Sequence, residues 1–235
     1  MLVFDPVAGG DALLVLDIGS DVNALAAFED PATGAPRLAC GCGDAFCSDD
    51  GKVRVFDGVS GGDALLVLDV GSMVYAMVVF QELATGALRL ATSSGKIFDP
   101  VAGGDALVKL DGCGGSLAAF TDPATGEPRL VSGSNDVRVW NPAAGGAAIE
   151  AEPEGHSEDV SALVTFVDPA TGALRVATGS DDKKIRVWDA ETGGGLLVIE
   201  VGGRVNALAF FAEPATGAAR LACGTAKLDG YGDVV

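Results

Sequence analysis

VSALVTFVDPATGALRVATGSDDKKIRVWDAETGGGLLVIEV, residues 160–201, contains four short apolar runs separated by three turns. Residues 160–166 are apolar and rich in β-branched side chains, which favour a pleated strand. Asp168-Pro169-Ala170-Thr171-Gly172 follows. Proline presets φ early in such a turn, and glycine supplies the positive φ at its end. Residues 174–178 read as a second strand and Ser180-Asp181-Asp182-Lys183 as a polar turn. In Ile185-Arg186-Val187-Trp188 apolar and charged residues alternate, the period of a half-buried strand. Glu191-Thr192-Gly193-Gly194 turns again before an apolar run at 196–201.

The same punctuation recurs along the chain. Pro-Ala-Thr-Gly stands at 31–34, 123–126, 169–172 and 214–217, and Leu83-Ala84-Thr85-Gly86 is a variant of it. The threonines at 33, 85, 125, 171 and 216 are spaced by 52, 40, 46 and 45 residues. In step with them runs an aromatic followed by Asp or Asn: Phe4-Asp5, Phe56-Asp57, Phe98-Asp99, Trp140-Asn141 and Trp188-Asp189. A Gly-Gly pair follows each aromatic, at 9–10, 61–62, 103–104, 145–146 and 193–194. The 34 glycines are about twice the usual share, as a fold full of tight turns requires. Four short strands repeated about every 45 residues select a β-propeller over a sandwich or barrel. No stretch reads as a long amphipathic helix. The predicted fold class is all-β.

Gly155-His156, Thr178-Gly179-Ser180-Asp181-Asp182 and Ile185-Arg186-Val187-Trp188-Asp189 together resemble a complete WD repeat. Weaker copies carry the resemblance over nearly the whole chain. It implies a hydrogen-bonded tetrad made here of His156, Thr178, Asp182 and Trp188. The physical logic is independent of the family: a buried carboxylate facing a neutral imidazole satisfies two groups that would each cost about 1–3 kcal/mol unpaired. His156 is the only histidine, so a metal or catalytic role lacks an imidazole partner. Only this repeat has the whole set. The corresponding loops elsewhere read Gly19-Ser20, Gly71-Ser72, Gly112-Cys113 and Gly202-Gly203. From the Thr slot to the aromatic is ten residues at Thr178–Trp188, eight at Ser132–Trp140, six at Thr92–Phe98 and sixteen at Cys40–Phe56.

Counting gives one domain, residues 1–235, of five four-stranded antiparallel blades. Four lie at 21–72, 73–114, 115–158 and 159–203. The fifth is composite, 204–235 with 1–20, and closes the ring by pairing N- and C-terminal strands, which hides the sheet edges. Five is fewer than the seven blades usual in the family. The other reading is a chain that completes itself with a second copy.

A net charge of −18 disfavours nucleic acid and anionic membranes and favours a basic partner. Met1-Leu2-Val3-Phe4-Asp5 does not read as a signal peptide, and no apolar run approaches the ~20 residues of a bilayer span. With an odd count of five cysteines, the expectation is a reducing compartment, cytoplasm or nucleus, without structural disulfides. Cys40, Cys42 and Cys47 crowd together, but their spacing is not a standard zinc pattern. Gly58-Val59-Ser60-Gly61-Gly62 matches a nucleophile-elbow pattern, yet it falls in a turn between strands. Arg37, Arg89, Arg129, Arg175 and Arg220 recur once per blade and read as scaffolding paired with the acid before each turn. No cofactor or metal is expected.

The Pro-Ala-Thr-Gly and Gly-Gly turns project from one face of a propeller and are nearly uniform. The opposite face varies in length and chemistry, and there stand Asp21, Met73, Asp159, Asp181 and Arg204. Variable loops on a repeated frame are where specificity tends to reside. The expected function is a non-enzymatic scaffold for a protein or peptide, a basic one on grounds of charge. The alternatives are a five-bladed-propeller glycosidase with a central carboxylate pair, or a partial repeat array that needs self-association.

Overall fold

The computed structural model describes residues 1–43, 51–122, 125–134, 136–148, 150–151, 155–213 and 215–226. Their regular structure is twenty β-strands, with no helix among the described residues. The chain divides into two compact units, Met1–Leu110 and Asp111–Val235.

The first unit begins with β1 (Leu2–Val3) and β2 (Leu14–Val15), an antiparallel pair. β3 (Val22–Glu29), β4 (Pro36–Cys42), β5 (Lys52–Asp57) and β6 (Leu66–Asp69) form a four-stranded meander in chain order. β7 (Met77–Gln81), β8 (Leu88–Thr92), β9 (Lys96–Phe98) and β10 (Val108–Lys109) form a second. Ala24, Phe28, Val53, Val55 and Leu68 on one face of the first meander pack against Met77, Leu90 and Phe98 of the next. On its other face, Cys40, Cys42 and Phe56 lie under Leu16 and Ile18, with Met1 and Leu14 beside them. The β1–β2 hairpin is therefore fixed by core contacts.

The second unit repeats the plan. β11 (Ser116–Thr121), β12 (Pro128–Gly133), β13 (Val137–Trp140) and β14 (Glu150–Ala151) make one meander. β15 (Val160–Val167), β16 (Leu174–Ser180), β17 (Lys184–Asp189) and β18 (Gly195–Glu200) make another. β19 (Arg204–Ala212) and β20 (Ala219–Ala226) pair as a two-stranded sheet. Val131, Val137 and Val139 pack against Val176 and Trp188. Phe166 stacks on Phe210 with centroids 4.5 Å apart, which joins β15 to β19. Four meanders of four antiparallel strands are the blades of the predicted propeller class. β1–β2 and β19–β20 are each two-stranded sheets, one in each unit.

Local chemistry explains the turns. At the end of Asp-Pro-Ala-Thr-Gly, Gly172 adopts φ 72° and its N–H donates to the Asp168 carbonyl at 2.8 Å. The Asp168 carboxylate accepts the Ala170 N–H at 2.9 Å, which pins the start of the turn. Another glycine role was not anticipated. A Cβ on Gly41 would lie 2.6 Å from a Val74 methyl, and one on Gly133 would lie 2.6 Å from a Val160 methyl. Gly179 is closer still to Val205. The end of each of these second strands is thus a hydrogen-only seat for a valine at the start of the next blade.

Candidate partner-binding site

The buried polar set lies in the second unit. β17 carries Trp188, β16 carries Thr178, the turn between them carries Asp182, and His156 precedes β15. Trp188 Nε1–H donates to Thr178 Oγ1 at 2.9 Å. The Thr178 hydroxyl donates to His156 Nε2 at 2.8 Å, and His156 Nδ1–H donates to Asp182 Oδ2 at 2.9 Å. Only this direction satisfies every group, because the hydroxyl oxygen already accepts from the indole and has one proton to give. The imidazole is therefore neutral, with its proton on Nδ1. Burial pushes its pKa below the ordinary histidine value, although Asp182 pulls the other way. Burial by itself would raise Asp182, but hydrogen bonds from His156 and from the Ser157 and Lys184 N–H groups outweigh it and hold the carboxyl below the usual range. The His156 side chain has 0% of its surface exposed, so its imidazole faces only the groups of this hydrogen-bonded set and the packing around it.

The other blades fill these slots differently. Trp140 is buried, and its Nε1–H has no partner among the described residues. Thr92 turns its hydroxyl onto its own turn, donating to the Lys96 carbonyl at 3.1 Å. Cys40 lies in apolar surroundings, and burial pushes its thiol up to about 11. Cys47 lies outside the described residues. Among the described residues no group of three His, Cys, Asp or Glu side chains is placed to hold a metal.

Two of the five recurring arginines, Arg37 and Arg89, are held by acids on two sides. Arg37 pairs with Asp30 at 3.2 Å, before the turn, and with Asp57 at 2.7 Å, after the third-strand aromatic. Arg89 repeats this with Glu82 at 2.6 Å and Asp99 at 3.7 Å. Arg175 pairs with Asp189, and Arg129 with Asp122 at 3.0 Å. Sequence reasoning found the acid before the turn and missed the one across the sheet. The signal was present: the strand register sets Arg37 opposite Asp57 and Arg175 opposite Asp189. Asp57 is held at about 2 by the N–H groups of Ser60 and Val59, the Ser60 hydroxyl and then Arg37. A cleft of about 200 Å³ beside Arg37 is lined by Phe28, Val55, Leu65 and Pro100, and its one carboxylate, Asp30, is already held by that arginine.

The five predicted face residues fall into two groups, one per unit. In the second unit, the Asp181 N–H donates to the Asp159 carbonyl at 3.0 Å. The Asp181 carboxylate accepts the Ser161 hydroxyl at 3.2 Å and pairs with Arg204 at 3.2 Å. Asp159, Asp181 and Arg204 are thus one cluster, and Asp181 is less free to attract a cation than its sequence position suggested. In the first unit, the Gly43 N–H donates to the Asp21 carbonyl at 3.4 Å. Met73 covers Gly43 so closely that a Cβ there would lie 2.6 Å from its side chain. The Tyr75 hydroxyl reaches the Met73 sulfur at 3.5 Å, and the ring is 59% exposed. Tyr75 was missed; an aromatic two residues after Met73 was the available sign.

Residues 149–189 match the family model of the WD domain, G-beta repeat. No curated protein matches the chain in sequence. Among solved structures, a chain of a mitotic checkpoint complex is similar in fold, with a TM-score of 0.60 and 21% identity. The likeness covers 87% of this chain and 59% of that chain, so this chain spans about three-fifths of that one's length. At that identity the likeness carries the fold alone. Residues 149–189 thus match one WD repeat, and four four-stranded meanders with this likeness in fold place the chain in the β-propeller fold class.

Proposed function

We propose that the chain is an interaction scaffold that binds a basic or mixed-charge protein segment and does no chemistry of its own. The observation that carries this is a division of labour. The buried polar side chains of the matched repeat are committed to one another, whereas the variable loops present exposed, mixed chemistry. Asp159, Asp181 and Arg204 form a charged group, and Tyr75 beside Met73 forms an apolar one. The solved chain of similar fold is part of a multi-protein complex, which agrees with this reading. A net charge of −18 would steer a basic segment in, and the apolar contact would set its residence time.

The test is binding of immobilised basic, mixed and acidic peptides by surface plasmon resonance. Basic peptides should bind best and weaken as salt rises past ~0.15 M, where the Debye length is ~8 Å. Asp159→Lys with Asp181→Lys should slow association, and Met73→Glu or Tyr75→Ser should speed dissociation. Glu191→Arg, on the uniform face, should change neither. Equal binding of acidic and basic peptides, or equal loss from Glu191→Arg, would overturn the assignment.

A further inference from the structure

The first meander carries sulfur where the matched repeat carries oxygen and nitrogen. In β15–β17 the register sets Leu163, Thr178 and Arg186 in one row, and in β3–β5 it sets Leu25, Cys40 and Arg54 in the same row. Two residues on, Ser180 opposite Val160 corresponds to Cys42 opposite Val22. The ring in the place of Trp188 is Phe56, which has no N–H to give. In the loop that corresponds to Gly155-His156, Gly19-Ser20 offers no imidazole, and the Ser20 hydroxyl oxygen is buried with no partner among the described residues.

The contact that His156 makes with Thr178 is made here by a thioether. Cys40 Sγ–H donates to Met1 Sδ at 3.3 Å, as the Thr178 hydroxyl donates to His156 Nε2 at 2.8 Å. Cys40 and Cys42 alternate along β4, so they share one face of the sheet. Both lie at 0% exposure in one core cluster with Leu16, Ile18 and Phe56, and half-buried Met1 packs against it. The Cys42 thiol donates to the Cys40 carbonyl at 3.7 Å. Burial and then Cys42 push the Cys40 thiol up, while the Met1 amine and Arg54 pull it down.

We propose that Cys40, Cys42 and Met1 form a binding site for a soft monovalent cation, copper(I), held by two thiolates and one thioether. Sulfur ligands of this kind select copper(I), whereas a structural zinc site takes four ligands and this cluster offers three. Sulfurs 3.3 Å apart can both touch one ion at the ~2.3 Å of a zinc–thiolate bond. Loading breaks two S–H bonds, releases two protons and forms two metal–thiolate bonds, with a lone pair of the thioether as the third donor. No oxidant or reductant enters. The complex carries one net negative charge, which Arg54, opposite Cys40 in the register, offsets. Cysteine spacing did not reveal the set, because its third sulfur comes from 39 residues up the chain. The site lies within the first unit and is independent of the peptide-binding loops.

The test is anaerobic titration of the full-length chain with copper(I) held by the chromophoric chelator bicinchoninate. The chain should take one equivalent from it. Cys40→Ser and Cys42→Ser install the side chains that Ser132 and Ser180 carry in the same places, so both should melt near the wild type. Each should weaken uptake by about 100-fold, more than the loss of a neighbour that only orients a ligand. Cys113→Ser and Cys223→Ser should leave uptake unchanged. A second readout needs no variant to fold. In the chain labelled at its three methionine methyls, one equivalent of copper(I) should shift the NMR signal of Met1 and leave those of Met73 and Met77 in place. Retention of the ion by the chelator, full uptake by the Cys40 and Cys42 variants, or a shift of Met73 or Met77 with Met1 unmoved would each overturn the site. Displacement of the bound ion by excess zinc(II) would overturn its assignment to a soft monovalent cation.

Discussion

At the scale of single residues, His156 and Trp140 are opposite cases. His156→Ala leaves Asp182 without its side-chain donor and Thr178 without an acceptor, so it should cost about 1–3 kcal/mol in urea unfolding. Trp188→Phe should cost a similar amount, because it strips the donor from a closed chain of hydrogen bonds. Trp140→Phe should cost nothing or stabilise, since the indole N–H it removes is buried and unpartnered among the described residues. Equal losses for the two tryptophans would refute this. A pH dependence follows as well. Burial holds folded His156 below its free value, so the unfolded chain takes up a proton that the folded chain refuses. Stability is then full above about pH 6.5 and falls as pH drops below it. Urea midpoints between neutral and mildly acidic pH should show the slope, and His156→Gln should flatten it. The tetrad was legible because its members stand at fixed spacings within one repeat. The orphaned Trp140 was not, because a missing partner leaves no mark on the residue itself.

At the scale of strands and turns, the glycine seats and the arginine pairs carry the energetics. Gly179→Ala drives a methyl into Val205 and should cost about 1–3 kcal/mol, partly relieved by adding Val205→Ala. Gly224→Ala, whose Cβ would meet only Ala207 at 3.6 Å, should be neutral. Denaturant titration of the four proteins checks both. Asp30, Asp57, Asp168 and Asp189 all sit below the ordinary aspartate value, held there by backbone N–H donors, by turn hydroxyls and by arginines. Their contribution is present above that value and is lost as pH falls toward about 2, where Asp57 titrates. Acid unfolding followed by tryptophan fluorescence should fall in this window and shift to higher pH in Arg37→Met. The turns were readable from sequence because proline, glycine and aspartate act on their own neighbours. The seats were not, because Val74 meets Gly41 only after two blades pack.

For the whole molecule, the four-stranded meanders were readable and the covering of their edges was not. A two-residue strand such as β1 has the same local sequence whether or not a partner covers it. Covering is also what residues 1–18 do inside the first unit, where Leu16 and Ile18 lie over Cys40, Cys42 and Phe56. Deleting residues 1–18 should lower the melting temperature and turn Cys40 and Cys42 from thiols slow to react with a disulfide reagent into fast ones. Unchanged melting and unchanged thiol kinetics would show the hairpin to be dispensable.

The glycine–valine seat has a consequence for how such a chain can grow and drift. A tetrad begins and ends inside one repeat, so a copy that loses its histidine harms only itself. A seat is shared across a repeat boundary, valine on one side and glycine on the other. Duplicating one repeat therefore yields a segment that already holds both halves, facing outward in opposite directions, and it fits between its parents without any new mutation. The ancestry of the array is then expected to survive longest at these junction residues, in the smallest side chain of each repeat, after the more conspicuous polar signature has faded.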